Sequence, residues 1–98
     1  MTDIMNANSE PARLEQLAEE AAELAQAAIK LARKKRGESP TPKSEMQCLD
    51  ALTEEIGDVL ACLDEVMDIV DMERVQAVKD QNKVRWRLRI DAQKGGVK

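Results

Sequence analysis

Apolar residues in this chain return every three or four positions, and they do so in two separate runs. The first is Leu14, Leu17, Ala21, Leu24, Ala28 and Leu31; the second is Leu49, Leu52, Ile56, Val59, Leu63, Val66 and Val70. That spacing lays each run along one face of an α-helix and is incompatible with the two-residue alternation of a half-buried strand. Few β-branched runs, 4 glycines, 3 prolines and a single aromatic residue, Trp86, agree with an all-α chain.

Punctuation sets the expected boundaries. Ser9 suits a helix N-cap, with Glu10 and Pro11 in the first turn. Lys34, Lys35 and Arg36 suit the last turn of that helix, and Gly37 its stop. Pro40 and Pro42 interrupt the chain, Ser44 caps a second helix over about 45–70, and Asp71 caps a third running to about residue 92. Two long helices joined by a short turn predict an antiparallel helical hairpin, to which the third helix is added. Residues 1–8 and 94–98 are expected to be flexible ends of one helical domain spanning 9–93. A chain of 98 residues buries a modest core, so assembly with further copies into a helical bundle is expected.

Charge is unevenly distributed. Residues 1–71 carry 16 acids and 7 bases, whereas residues 72–98 carry 3 acids and 8 bases. No apolar run is long enough to span a membrane and no signal peptide is visible, which predicts a cytoplasmic protein without a membrane partner. Cys48 and Cys62 lie fourteen positions apart. On one helix this separates them by about 21 Å, too far for a disulfide, and they read as reduced, packed thiols.

One acidic pattern occurs twice. Leu17-Ala18-Glu19-Glu20-Ala21-Ala22-Glu23-Leu24 and Leu52-Thr53-Glu54-Glu55-Ile56-Gly57-Asp58-Val59 both read Leu-x-Glu-Glu-x-x-acid-apolar. Residues three apart are neighbours on a helix, so Glu20 pairs with Glu23 and Glu55 with Asp58. At about 100° per residue, each pair sits roughly 60° and 120° from the centre of its apolar stripe, while Glu19 and Glu54 point farther out to water. Two adjacent helices then bring four carboxylates together. Such a cluster repels itself unless a cation occupies it, and Mg²⁺, with Mn²⁺ as a substitute, fits an all-oxygen site that acts on phosphate esters or anhydrides.

Other chemistries are disfavoured. Histidine is absent, against a Glu-x-x-His di-iron site and a His-bearing zinc site. There is no glycine-rich phosphate loop and no Ser-His-Asp set. On the third helix, Lys79 and Lys83 are one turn apart with Asn82 close to that face, a set suited to holding phosphate oxygens. The basic end permits nucleic-acid binding, but the acidic body and scarcity of aromatics speak against it.

Glu20-x-x-Glu23 followed by Glu55-x-x-Asp58, with Gly57-Asp58-Val59-Leu60 in the second copy, resembles the MazG-like all-α nucleoside triphosphate pyrophosphohydrolases over residues 12–90. The resemblance implies that Glu20, Glu23, Glu55 and Asp58 bind Mg²⁺ and that activated water converts a nucleoside triphosphate to monophosphate and pyrophosphate. It also implies a homodimer or dimer of dimers, and phosphate contacts from a lysine and an asparagine of the later helix. Lys83 holds the position four after Lys79 where such proteins often carry asparagine, and Asn82 stands one before it. The catalytic assignment is Glu19, Glu20 or Glu55 orienting the attacking water. The alternative from another class is a non-catalytic helical dimer or adaptor with a solvated acidic surface; it explains the apolar stripes but not the shared register of the acid pairs.

Overall fold

A computed structural model describes residues 9–38 and 42–96, and among these the regular structure is entirely helical. The expected features of segments 1–8 and 97–98, and of the linker at 39–41, lie outside the described residues. Three helices follow in order: α1 (Glu10–Lys35), α2 (Glu45–Asp64) and α3 (Met72–Gly96). The chain divides into two compact units, 1–66 carrying α1 and α2, and 67–98 carrying α3. No described helix is long and apolar enough to cross a membrane.

The caps follow from local chemistry. The Ala12 amide donates to Ser9 Oγ at 3.4 Å, with Pro11 in the first turn. At the other end of α1, Gly37 takes φ 71°, the left-handed region that glycine enters without a Cβ clash. This lets the Gly37 amide donate to the Lys34 carbonyl at 3.1 Å and the Glu38 amide donate to the Arg33 carbonyl at 3.0 Å, so two otherwise orphaned carbonyls are satisfied. Helix α2 opens with a capping box: the Gln47 amide donates to Ser44 Oγ at 3.1 Å and the Ser44 amide to Gln47 Oε1 at 2.8 Å. Asp71 caps α3, its Oδ1 accepting from the amides of Glu73 at 3.1 Å and Arg74 at 3.3 Å.

Two boundaries differ from expectation. Helix α2 ends at Asp64 rather than near residue 70. Its last amides, Glu65 and Val66, turn to the carbonyls three residues back, Cys62 and Leu63, both at 3.1 Å. Arg13 Nη1 donates to the Glu65 carbonyl at 2.6 Å, so a side chain from α1 satisfies an acceptor at this end. Helix α3 continues through Gly96, where the sequence pattern predicts a loose tail from Gly95. Glycine costs only about 1 kcal/mol per helical position, and one further turn tolerates it.

Helices α1 and α2 pack against each other. Arg13 meets Glu65, Glu23 lies beside Glu55, and Lys35 pairs with Glu45 at 3.7 Å, so the partners run in opposite order along the two helices. The buried face is turned relative to the expected stripes. Each stripe is two rows with a seven-residue repeat. Leu17, Leu24 and Leu31 on α1, with Leu52 and Val59 on α2 and Val66 just beyond its end, are half-buried or buried. The companion rows, Leu14, Ala21 and Ala28 on α1 with Leu49, Ile56, Leu63 and Val70 in the second run, are exposed. The buried positions are Glu20, Ala27 and Leu31 from α1, Cys48 and Cys62 from α2, and Val66 just beyond it. Small Ala27, Cys48 and Cys62 let the two backbones approach, and the approach centres the packed face on Glu20 rather than on Ala21.

In the second unit every residue of α3 from Met72 to Gly95 is exposed except Asn82, which is half-buried. Its valines, Leu88, Ile90 and Trp86 are spread around the helix without a common face.

Candidate metal centre

The turn of the packed face places a carboxyl group in the interior. Glu20 is 6% exposed, the one charged side chain buried among the described residues. Gln16, one turn before it on α1, donates from Nε2 to Glu20 Oε1 at 2.9 Å. The second oxygen, Oε2, is buried with no hydrogen-bond partner among the described residues, and so is Oε2 of Glu55. A buried carboxylate oxygen without a donor is costly, about 1–3 kcal/mol or more for a charged group.

Glu23, one turn after Glu20, and Glu55 from α2 complete the cluster. One carboxylate oxygen from each of Glu20, Glu23 and Glu55 lies within 4.8 Å of the other two. Glu20 is buried, Glu55 half-buried and Glu23 exposed, so the trio grades from interior to solvent. Burial pushes the Glu20 carboxyl above its ordinary value, and the negative charges of Glu23 and Asp58 push it the same way. The Gln16 hydrogen bond opposes this. Burial also raises the Cys62 thiol, helped by the charges of Glu20, Asp58 and Glu65. Both cysteines are free and buried, so Cys62 packs as a neutral thiol beside the acids.

Asp58 is half-buried and its charge reaches Glu20, but its oxygens fall outside the close trio. Glu19 and Glu54 are exposed, as their angular positions predict. Lys79 and Lys83 are exposed on α3, with Asn82 half-buried, all in the second unit.

The donor set fits a hard divalent cation. Three oxygens converge, two of their carboxyl groups hold an oxygen that nothing among the described residues satisfies, and the exposed edge leaves room for water or a further oxygen ligand. A soft ion has no claim on an all-carboxylate trio.

A groove with room for about 300 Å³ opens beside the trio, with Glu23 and Glu55 in its wall. Lys30 and Lys43 line the same groove. The sequence pattern singles out phosphate-holding cations on the third helix, Lys79 and Lys83, and not these two. The available signal was spacing: Lys30 is seven residues after Glu23, two turns along the same face. No family model, curated protein or solved structure matches this chain.

Proposed function

We propose that this chain is a Mg²⁺-dependent nucleotide pyrophosphohydrolase of the MazG-like kind, with Mn²⁺ able to substitute, converting a nucleoside triphosphate to monophosphate and pyrophosphate in the cytoplasm. The observation that carries the reading is the Glu20–Glu23–Glu55 trio with the buried, unpartnered Oε2 of Glu20. An adaptor with a merely solvated acidic surface has no reason to bury one of its acids to 6% exposure and leave an oxygen unsatisfied.

In this reading Glu20, Glu23 and Glu55 hold the cation, with Asp58 as a fourth acid at its margin. When bound, the cation polarises the phosphoryl group and lowers the pKa of water. Glu19, Glu20 or Glu55 orients the water and takes its proton. The water oxygen bonds to the α-phosphorus, the bond to the bridging oxygen breaks, and pyrophosphate leaves with that electron pair. Lys79, Lys83 and Asn82 contribute phosphate contacts.

The architecture that belongs to this reading is an antiparallel hairpin of α1 and α2, joined by α3 and by further copies in a homo-oligomeric bundle. The opposite order of partners along α1 and α2 supports the hairpin. The exposed rows Leu14–Ala21–Ala28 and Leu49–Ile56–Leu63 support further copies, since large apolar side chains are 42–44% exposed there at helix-packing spacing.

The test is product analysis on a panel of canonical, deoxy and damaged nucleoside triphosphates, with and without Mg²⁺. Metal-dependent release of monophosphate and pyrophosphate, lost in Glu55→Gln, is expected. Release of orthophosphate instead, or no turnover of any nucleotide, refutes the assignment.

A further inference from the structure

Resting on the metal-dependent reading above, we propose that Lys30 and Lys43 hold the pyrophosphate end of the substrate's phosphate chain, in the groove that runs from the acidic trio toward the linker between α1 and α2.

The groove joins two opposite chemistries. Its wall on one side carries Glu23 and Glu55, two of the three cation ligands, and the same cavity is lined by Lys30 of α1 and Lys43 just before the α2 cap. Helical side chains lean toward the N-terminus of their helix. Lys30 therefore leans back along α1 toward Glu23. Glu55 leans along α2 toward Ser44, which follows Lys43. The ends of these side chains converge on one volume.

The floor between them is made by small side chains, Ala27 and the buried Cys48, so the space of about 300 Å³ is left open to a ligand. Gln26 adds an amide to the same wall. Within the described residues the Lys30 ammonium forms no ion pair, although acids stand in the same groove. A cation that lines a cavity beside carboxylates without pairing to them is placed to meet a mobile anion.

Charge fixes which end of the substrate lies here. A phosphate chain beside Glu23 and Glu55 alone is repelled. With a divalent cation on the trio and two ammonium groups along the groove, the negative charge is matched along its length. A neutral nucleoside has no use for two lysines, so the scissile phosphorus belongs at the trio and the two outer phosphates at Lys30 and Lys43. Holding the leaving group also assists the reaction, because charge builds on pyrophosphate as the bond breaks.

Inorganic pyrophosphate is the probe, titrated calorimetrically into the full chain with Mg²⁺ and again in EDTA, alongside a separate Mn²⁺ titration. Lys30→Gln and Lys43→Gln are each expected to weaken Mg²⁺-dependent pyrophosphate binding by about 10-fold or more, the loss of a charged hydrogen bond. Mn²⁺ affinity should be unchanged or slightly tighter in both, since a nearby positive charge has gone. Lys30→Arg should recover most of the pyrophosphate binding, and unchanged thermal melting keeps a folding defect out of the result. If Mn²⁺ binds and pyrophosphate affinity is the same in the wild type and both lysine variants, the lysine assignment is overturned and the metal reading stands. If pyrophosphate binds in EDTA, depends on the lysines, and Mn²⁺ does not bind, the lysine assignment stands and the metal reading fails. Absence of both binding events overturns both.

Discussion

Glu20→Gln separates the two roles of the buried acid. The amide is nearly isosteric with the carboxyl group, so the packing around this side chain is retained. What changes is charge. In the metal-free protein Glu20 is 6% exposed, sits among the charges of Glu23 and Asp58, and leaves Oε2 without a donor. Relief of an unsatisfied buried oxygen is worth about 1–3 kcal/mol, and the new amide hydrogens can donate to the carboxylates of Glu23 and Glu55. Taking the lower figure, about 1 kcal/mol, the variant should melt roughly 4–8 °C above the wild type in EDTA. With a divalent cation the order reverses. A cation at 100 times its dissociation constant adds about 2.7 kcal/mol to the native wild type and little to a variant lacking a ligand. The assay is thermal unfolding followed by circular dichroism at one fixed protein concentration, in EDTA and in excess Mn²⁺. A variant less stable than the wild type in EDTA, or equally stabilised by Mn²⁺, refutes the reasoning.

Three further outcomes follow from the same geometry. The raised Glu20 carboxyl binds its proton more tightly folded than unfolded, so its penalty is absent below the ordinary carboxyl value of 4.5 and grows as pH rises through the interval up to the folded value; in EDTA the melting temperature should fall across that interval, with a shallower fall in Glu20→Gln. Gly57 lies within α2 with nothing inside 4 Å of where a Cβ would sit, so Gly57→Ala should stabilise the chain by about 0.5–1 kcal/mol, read as a rise in urea midpoint at constant slope. Arg13→Ala removes the 2.6 Å contact to the Glu65 carbonyl and should cost about 1–2 kcal/mol in the same urea measurement, with faster amide exchange at residues 62–66.

The helices and their caps were legible because each rests on local chemistry. Ser9, Ser44 and Asp71 cap as their side chains dictate, and Gly37 takes the backbone angle that ends α1. The end of α2 was less legible. Val66 and Val70 continue the apolar spacing, yet the chain leaves the helix after Asp64, where a side chain from the other helix, Arg13, takes over the terminal acceptor. The rotation of the packed face was hidden for a similar reason. Periodicity marks both seven-residue rows as apolar but does not say which row the neighbouring helix covers. That choice depends on Ala27, Cys48 and Cys62, small residues whose value is the close approach they allow. The same approach buries Glu20, places it with Glu23 and Glu55, and leaves Asp58 at the margin, a distinction that two identical spacings in the sequence do not carry.

The most direct measurement is a calorimetric Mn²⁺ titration of the wild type beside Glu20→Gln, Glu23→Gln and Glu55→Gln. Saturable binding in the wild type, weakened about 10-fold or more in each variant, is the predicted result for three oxygens sharing one ion. Saturable binding that is identical in all four proteins, or none in the wild type, contradicts a cation centre at this trio.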